Sequence, residues 1–299
     1  MANNLPAPDI AGHHVNTTSQ LLLEIVVAIA ILALLVVAEC IRRRWHTPMA
    51  YVVLAATLLA SGVEVVFNTA GELWYYTPGQ HGVISTWDRS IPAWALCSYV
   101  PFYGGLGLLG WWLIERHATR LQMVGYLVAV WIFAMVTEVS LISLGVYRYY
   151  GGQPFSVHGF PTWISMSNAA ICVTVGVGAA RLSRSLPPAR QWMAIVLGPA
   201  LTSAALIGTQ FPEVSALHAG HRSQGLVYAM AAVSVVLALV LGLLVLELVP
   251  AAGMPDSLRE RALTPPPNSA HRGADRESQP RTAVARTVAP ALDRAGRAR

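Results

Sequence analysis

Apolar residues run along this chain in seven blocks, at 21–41, 49–71, 91–114, 121–146, 163–180, 192–211 and 225–249, with short polar stretches between them. Each block is long enough for the roughly 20 residues that carry an α-helix across a hydrocarbon core. The spacing therefore predicts an all-α integral membrane protein with seven transmembrane helices inside residues 19–250. The flanks read differently. Residues 1–18 are polar and expected to be loose, and residues 251–299 are rich in Pro, Ala, Arg and Ser, including Pro265–Pro267, with no apolar period, which predicts a disordered tail.

Composition agrees with a bilayer rather than water: 55% of the 299 residues are hydrophobic, only 12% are charged, and the mean hydropathy is +0.51. The arginines set an orientation. Arg42, Arg43 and Arg44 follow the first block, Arg116 and Arg120 separate the third and fourth, and Arg181, Arg184 and Arg190 separate the fifth and sixth. The tail carries nine more, whereas the other set of loops holds Arg89, Arg148 and Arg222, so the positive-inside rule predicts N-terminus out and C-terminus in. No Lys or Arg precedes the first block, so it is expected to remain in the mature protein rather than serve as a cleaved signal.

The net charge of +5 follows from this loop bias and the tail, which suits anionic headgroups, and no base-recognition motif accompanies it. Cys40, Cys97 and Cys172 fall inside apolar blocks without CxxC spacing and are expected to pack rather than to form a disulfide frame. All 20 basic residues are Arg and none is Lys, which excludes a retinal protein, since its Schiff base needs a lysine.

One stretch departs from a plain lipid-facing pattern. VEVVFNTAGELWYY at 63–76 returns 74 positions later as TEVSLISLGVYRYY at 137–150, with Glu64 and Glu138, Gly71 and Gly145, Tyr75 and Tyr149, and Tyr76 and Tyr150 in equivalent places. Each copy continues through a Gly-Gln region, PGQ at 78–80 and GGQ at 151–153, to a P-x-W at Pro92–Trp94 and Pro161–Trp163 that opens the next block. This is an internal helix-pair repeat, spans two and three against spans four and five, running in the same direction and so related by an axis along the membrane normal. Its two glutamates are then expected at similar depth. Spans six and seven keep only Gly208 and Phe211-Pro212 of the motif, a degenerate third copy at best.

An ionised carboxylate at mid-depth costs about 3 kcal/mol or more unless paired or neutral, and no arginine lies within these spans to pair with Glu64 or Glu138. At least one protonated acid, or one shared proton, is expected. Asn68 and Glu72 follow Glu64 on the same helical face. Around them the outer loops and helix ends offer Trp74, Tyr75, Tyr76, Trp87, Tyr99, Tyr103, Tyr147, Tyr149, His158 and Trp163, aromatic groups that can stabilise a passing cation. Asn168, seven residues after Pro161, takes the place that Tyr99 has after Pro92. No acidic cluster suits a Mg²⁺–diphosphate, no P-loop and no nucleophile elbow is present, and the loop H-x-x-H of His218 and His221 lacks the helical geometry of zinc motifs, so neither metal nor cofactor is expected.

On Glu64 with Asn68, and on Glu138 followed by Gly145, Tyr147, Tyr149 and Gly159-x-Pro161, the chain resembles the small integral-membrane cyclases of meroterpenoid and carotenoid pathways. It lacks their carotenoid branch's P-x-E-E motif, and its long basic tail is unusual for the meroterpenoid branch. The resemblance implies proton-initiated cyclisation, hydration or isomerisation of a lipid-soluble isoprenoid. Glu138 or Glu64 would be the general acid, Asn68 and Asn168 would orient it, and Glu72 or Asp88 would take the final proton. Two readings from other classes stand beside it: a proton-coupled transporter or receptor, in which the same acids relay protons, and a scaffold docking through the outer aromatic loops.

Overall fold

The computed structural model describes residues 12–87, 89–220 and 223–249. Asp88, His221, residues 1–11 and the 251–299 tail lie outside the described residues. The chain is mostly helical, and six of its helices are long and apolar enough to cross a membrane: Thr17–Trp45, Met49–Ala70, Arg120–Ser143, Trp163–Ser185, Pro188–Leu217 and Gln224–Glu247. Chain order gives α1 (Thr17–Trp45), α2 (Met49–Ala60), a 3-10 turn (Ser61–Val63), α3 (Glu64–Ala70), β1 (Leu73–Tyr75), β2 (Gly82–Thr86) and β3 (Arg89–Pro92). Then follow α4 (Ala93–Tyr99), a π-helical segment (Val100–Gly105), α5 (Leu106–Glu115), α6 (Arg120–Ser143), β4 (Tyr147–Tyr149), β5 (Ser156–Val157) and β6 (Phe160–Pro161). The chain continues with α7 (Trp163–Ser185), α8 (Pro188–Gln191), a second 3-10 turn (Trp192–Val196), α9 (Leu197–Leu217) and α10 (Gln224–Glu247).

The apolar block at 91–114 is absent from the six long helices for a physical reason. Its helical path is unbroken from residue 93 to 115, but the π-helical segment divides it into pieces of 7 and 10 α-helical residues. Pro101 lies at the start of that segment, where its missing N–H breaks the i→i−4 ladder.

Local chemistry fixes the helix ends. Asn16 caps α1 by accepting from Ser19 N–H, Thr119 and Gln122 form a reciprocal capping box at α6, and Ser223 accepts from Leu226 N–H at α10. Polar caps of this kind mark where apolar helix gives way to loop. In the bundle α7 is central, packing against α2, α5, α6, α9 and α10, and most of its length is buried. By contrast α1 is peripheral, with Ile29, Leu32 and Val36 all at least 60% exposed, as a lipid-facing helix requires.

Small residues bring the backbones together. A Cβ at Gly198 would lie 2.2 Å from the Ala56 carbonyl oxygen, and one at Gly176 would lie 2.9 Å from the Gly107 carbonyl oxygen. The α2–α9 and α5–α7 crossings therefore depend on hydrogen at those positions. In lipid, where apolar burial drives little, such close contact is a main source of helix association.

The mostly helical chain agrees with the all-α expectation, and the loops at 72–92 and 147–161 add short strands to it. Three two-stranded antiparallel ribbons form, β1–β4, β2–β3 and β5–β6. In the first, Leu73 faces Tyr149, Trp74 faces Arg148 and Tyr75 faces Tyr147. Because the repeat equates 74 with 148, this register is unchanged when the two copies are exchanged, so a local two-fold axis passes between Trp74 and Arg148. Each copy then makes its own hairpin before the P-x-W turn.

Residues 13–16 are held to these ribbons, which together cap one end of the site. Val15 is buried and donates its N–H to the Pro78 carbonyl at 3.0 Å, Asn16 N–H reaches the Gly145 carbonyl at 3.2 Å, and the His13 ring meets Tyr76 edge-on.

Arg89 locks the cap from the other side. Its guanidinium is buried, donates to the Leu73 carbonyl at 2.8 Å and to the Tyr150 hydroxyl, and lies 5.0 Å from the Trp74 ring centre and 5.4 Å from that of Tyr150. Arg89→Met should cost about 1–3 kcal/mol, because it strands the buried Leu73 carbonyl. Arg89→Lys should recover only part of this, since an ammonium lacks the planar fork. Thermal melting in detergent measures both.

Candidate functional site

Beneath the cap lies a cavity of about 110 Å³, and Glu64 and Glu138 both line it. Glu64 opens α3 directly after the 3-10 turn, so its side chain enters from one copy of the repeat; Glu138, one turn before the end of α6, enters from the other. Glu64 is 6% exposed, and both its oxygens accept phenolic hydroxyls, Tyr75 at 2.8 Å and Tyr99 at 2.7 Å. Glu138 is half-buried and accepts from Tyr147.

Strand alternation decides which aromatics reach this space. Successive side chains on a strand point to opposite faces. Leu73 and Tyr75 of β1, with Tyr147 and Tyr149 of β4, line the cavity, while Trp74 turns to Arg89 and Arg148 is exposed. Trp94 stacks on Tyr147 with ring centres 6.2 Å apart and meets Tyr75 edge-on at 5.7 Å. The Tyr75 and Tyr147 rings touch across the two-fold at 5.5 Å. Burial first, and the neighbouring carboxylates second, push the Tyr75, Tyr147 and Tyr149 phenols well above their usual range, so they remain neutral donors.

The third wall comes from α4 and the π segment, where Ser98, Tyr99, Phe102 and Tyr103 line the space, and the floor from Ile164 and Asn168 of α7 and Leu206 of α9. Asn168 Oδ1 accepts from the Tyr103 hydroxyl at 2.7 Å. Five lining residues, Ser98 and Phe102 on one side with Thr137, Glu138 and Leu141 on the other, are only partly buried. The cavity therefore thins laterally between the π segment and α6.

Of the residues singled out by sequence, Glu64, Glu138, Tyr99, Tyr103, Tyr147, Tyr149 and Asn168 meet here. The others do not. Asn68 is buried one turn beyond Glu64, and its amide finds no hydrogen-bond partner among the described residues. Glu72 sits in a positive-φ turn, where its carbonyl accepts from Tyr150 N–H and its carboxylate from Gln153. Trp74 faces Arg89; Tyr76, past the end of β1, meets His13; His158 is exposed at the tip of the β5–β6 hairpin; and Trp163, the first residue of α7, is fully buried away from the cavity. Asp88 lies outside the described residues.

Trp94, Phe67 and Phe102 line the cavity without having been singled out as site residues, and Tyr75, named only among the surrounding aromatics, lines it too. The period of two around Tyr75, and the P-x-W repeat that holds Trp94, carried that signal. Among the described residues no group of three or more His, Cys, Asp or Glu is placed to hold a metal, and His218 Nε2 contacts the Ala70 carbonyl at 3.0 Å instead. The sequence matches no protein-family model, and neither the curated proteins nor the solved structures compared with it give a match.

Proposed function

We propose that this protein is an isoprenoid-modifying enzyme of the cell membrane that starts a cyclisation, or a related isomerisation or hydration, by protonating a lipid-soluble substrate. One observation carries the reading: two carboxylates from equivalent places in a repeat line a single aromatic cavity. In this reading the chain crosses the membrane seven times, the third crossing being the π-broken path at 93–115, with N-terminus out and C-terminus in. The lateral thinning between the π segment and α6 gives a substrate dissolved in the bilayer a way to the acids.

The hydrogen bonds favour different roles for the two acids in this reading. Glu64, with a phenol donating to each oxygen, has the surroundings of a carboxylate. Glu138, with Tyr147 alone, keeps an oxygen to carry a proton. The Glu138 proton adds to a substrate alkene carbon or epoxide oxygen; the resulting cation closes onto an internal double bond beside the Tyr and Trp faces. Glu64 then removes a proton from the carbon next to the final cation, so the reaction is a net isomerisation. The proton held by Glu64 is returned to Glu138 before the next turnover, the two acids lining the same cavity.

Mass spectrometry of lipid extracts from cells lacking the protein tests this. An isoprenoid precursor should accumulate and should disappear on complementation with wild type but not with Glu64→Gln plus Glu138→Gln. An unchanged lipid profile refutes the enzyme reading. A second reading, a proton-coupled carrier, draws on the helix breaks that flank the cavity, the 3-10 turn just before Glu64 and the π segment that carries Tyr103. Proton uptake by proteoliposomes, coupled to solute and lost in the same double variant, would support it.

A further inference from the structure

Glu64 is held by two phenols, Tyr75 and Tyr99. The repeat puts Tyr149 in the place of Tyr75 and Asn168 in the place of Tyr99, which predicts that these two hold Glu138 in the same way. Neither does. Glu138 accepts instead from Tyr147, which stands where the first copy has Leu73. Strand alternation brings Tyr147 and Tyr149 to the cavity together. Of the five tyrosines that line it, Tyr75 and Tyr99 donate to Glu64, Tyr147 to Glu138 and Tyr103 to Asn168 Oδ1, while the Tyr149 hydroxyl has no hydrogen-bond partner among the described residues. The Asn168 amide resembles it: Tyr103 occupies its oxygen, but its NH₂ group meets no acceptor among the described residues.

Both side chains are buried, Tyr149 being 6% and Asn168 5% exposed. Their donors are nevertheless not walled in by packing as the Asn68 amide and the Trp94 N–H are; they border the open space of the cavity. The Tyr149 ring is fixed edge-on by Tyr147 at 6.0 Å and Phe160 at 5.9 Å, so its hydroxyl is held in place without a partner. Tyr103 links the two donors, since it bonds to Asn168 at 2.7 Å and acts electrostatically on the Tyr149 hydroxyl, as do Glu138 and Glu64.

Two fixed donors in a buried cavity call for an acceptor. In the first copy the equivalent pair has one, the Glu64 carboxylate. An alkene carbon offers no lone pair and a hydroxyl brings a proton that needs an acceptor of its own, whereas a carbonyl oxygen takes two hydrogen bonds and gives none. We propose that Tyr149 and Asn168 hold a carbonyl oxygen of the substrate, an oxygenated isoprenoid whose carbonyl-bearing end enters the cavity beside Glu138 and Glu64. This rests on the isoprenoid reading above and adds to it a substrate class and two binding residues. A dry cavity of about 150 Å³ takes benzene, so one of about 110 Å³ suits an end group of about six heavy atoms. The rest of the molecule extends through the lateral thinning toward lipid.

Three small probes of one shape test this on the full chain in nanodiscs: methyl isopropyl ketone labelled at its carbonyl carbon, the alkene in which a methylene replaces the ketone oxygen, and the epoxide of that alkene. After correction for partition into the lipid, wild type should hold the ketone about tenfold or more tighter than the alkene. The carbonyl stretch of the bound ketone should fall below its frequency in lipid. Tyr149→Phe removes one oxygen and keeps the ring packing, so it should weaken the ketone about three- to tenfold and return the stretch part of the way. Tyr149→Phe with Asn168→Leu should return it fully. Alkene binding should be equal in all three proteins, which reports that the cavity keeps its shape, and Tyr149→Phe alone decides the case if the double variant no longer holds the alkene. Equal binding of ketone and alkene, with a stretch that ignores Tyr149→Phe, overturns the carbonyl site alone, since an isoprene-sized group is still held. A response to Tyr149→Phe from the epoxide and not from the ketone also overturns it, the acceptor then being an ether oxygen. If wild type holds none of the three probes, the isoprenoid reading falls and the carbonyl site with it.

Discussion

On the proposed acid mechanism, Glu138→Gln is expected to lower turnover by about 10²- to 10⁴-fold with KM little changed. Its amide can still accept from Tyr147 and keep the cavity's shape, but it has no acidic proton to give. Glu64→Gln should lose activity on a similar scale for the opposite reason: the Tyr75 and Tyr99 hydroxyls stay in place, but no carboxylate remains to take the final proton. Glu138→Asp keeps the acid on a shorter arm and should retain a measurable fraction of turnover, separating lost chemistry from lost structure. Product formation in membranes from cells expressing each variant, followed by mass spectrometry against the precursor, measures all three. Wild-type turnover in either Gln variant would remove the carboxylate pair from the mechanism.

The largest effect on the fold is expected at Gly198, far from the acids. Gly198→Leu forces a side chain into the Ala56 carbonyl, backbone against backbone, and neither α2 nor α9 can yield locally. The cost should approach or exceed about 3 kcal/mol, the upper part of the usual range for overpacking. Gly208→Leu, on the same helix, meets nothing within 4 Å and should be near neutral. Comparing the two by thermal melting and by yield of monodisperse protein isolates the crossing itself. Equal stability of both variants would mean that the α2–α9 contact is not close-packed.

Hydropathy made the long helices legible because a bilayer demands a continuous apolar run, and α1, α6 and α10 each provide one. The repeat was legible for a similar reason: Glu, Gly and paired Tyr at fixed spacing stand out against Leu, Val and Ala. What sequence could not show was pairing over distance. β1 and β4 have three residues each and find one another 74 positions apart, so neither carries a local strand signal. The π segment was hidden for another reason, since Pro101 breaks one hydrogen bond without breaking the apolar run.

The site shows the same division. Glu64 and Glu138 could be chosen by cost, because an acid in lipid is conspicuous. Trp74 and Tyr75 are neighbours of similar chemistry, and only the strand's alternation sends Tyr75 to the acids and Trp74 to Arg89. Asn68 shares a helical face with Glu64 by spacing, yet one turn of rise carries it past the cavity.

The symmetric register of β1 with β4 has a consequence for how such a chain could arise. An isologous contact, in which the same patch meets itself, is the arrangement by which two identical subunits form a closed pair. Two copies of a two-helix ancestor clasped through this ribbon would bury one acid from each beside a shared axis. In a fused chain the equivalent places at Tyr99 and Asn168 could diverge, and here a phenol reaches Glu64 from the one while the other accepts from Tyr103. On such a route, a change on the neighbouring helices alone would make two equal acids unequal, with the ribbon that joins them left intact.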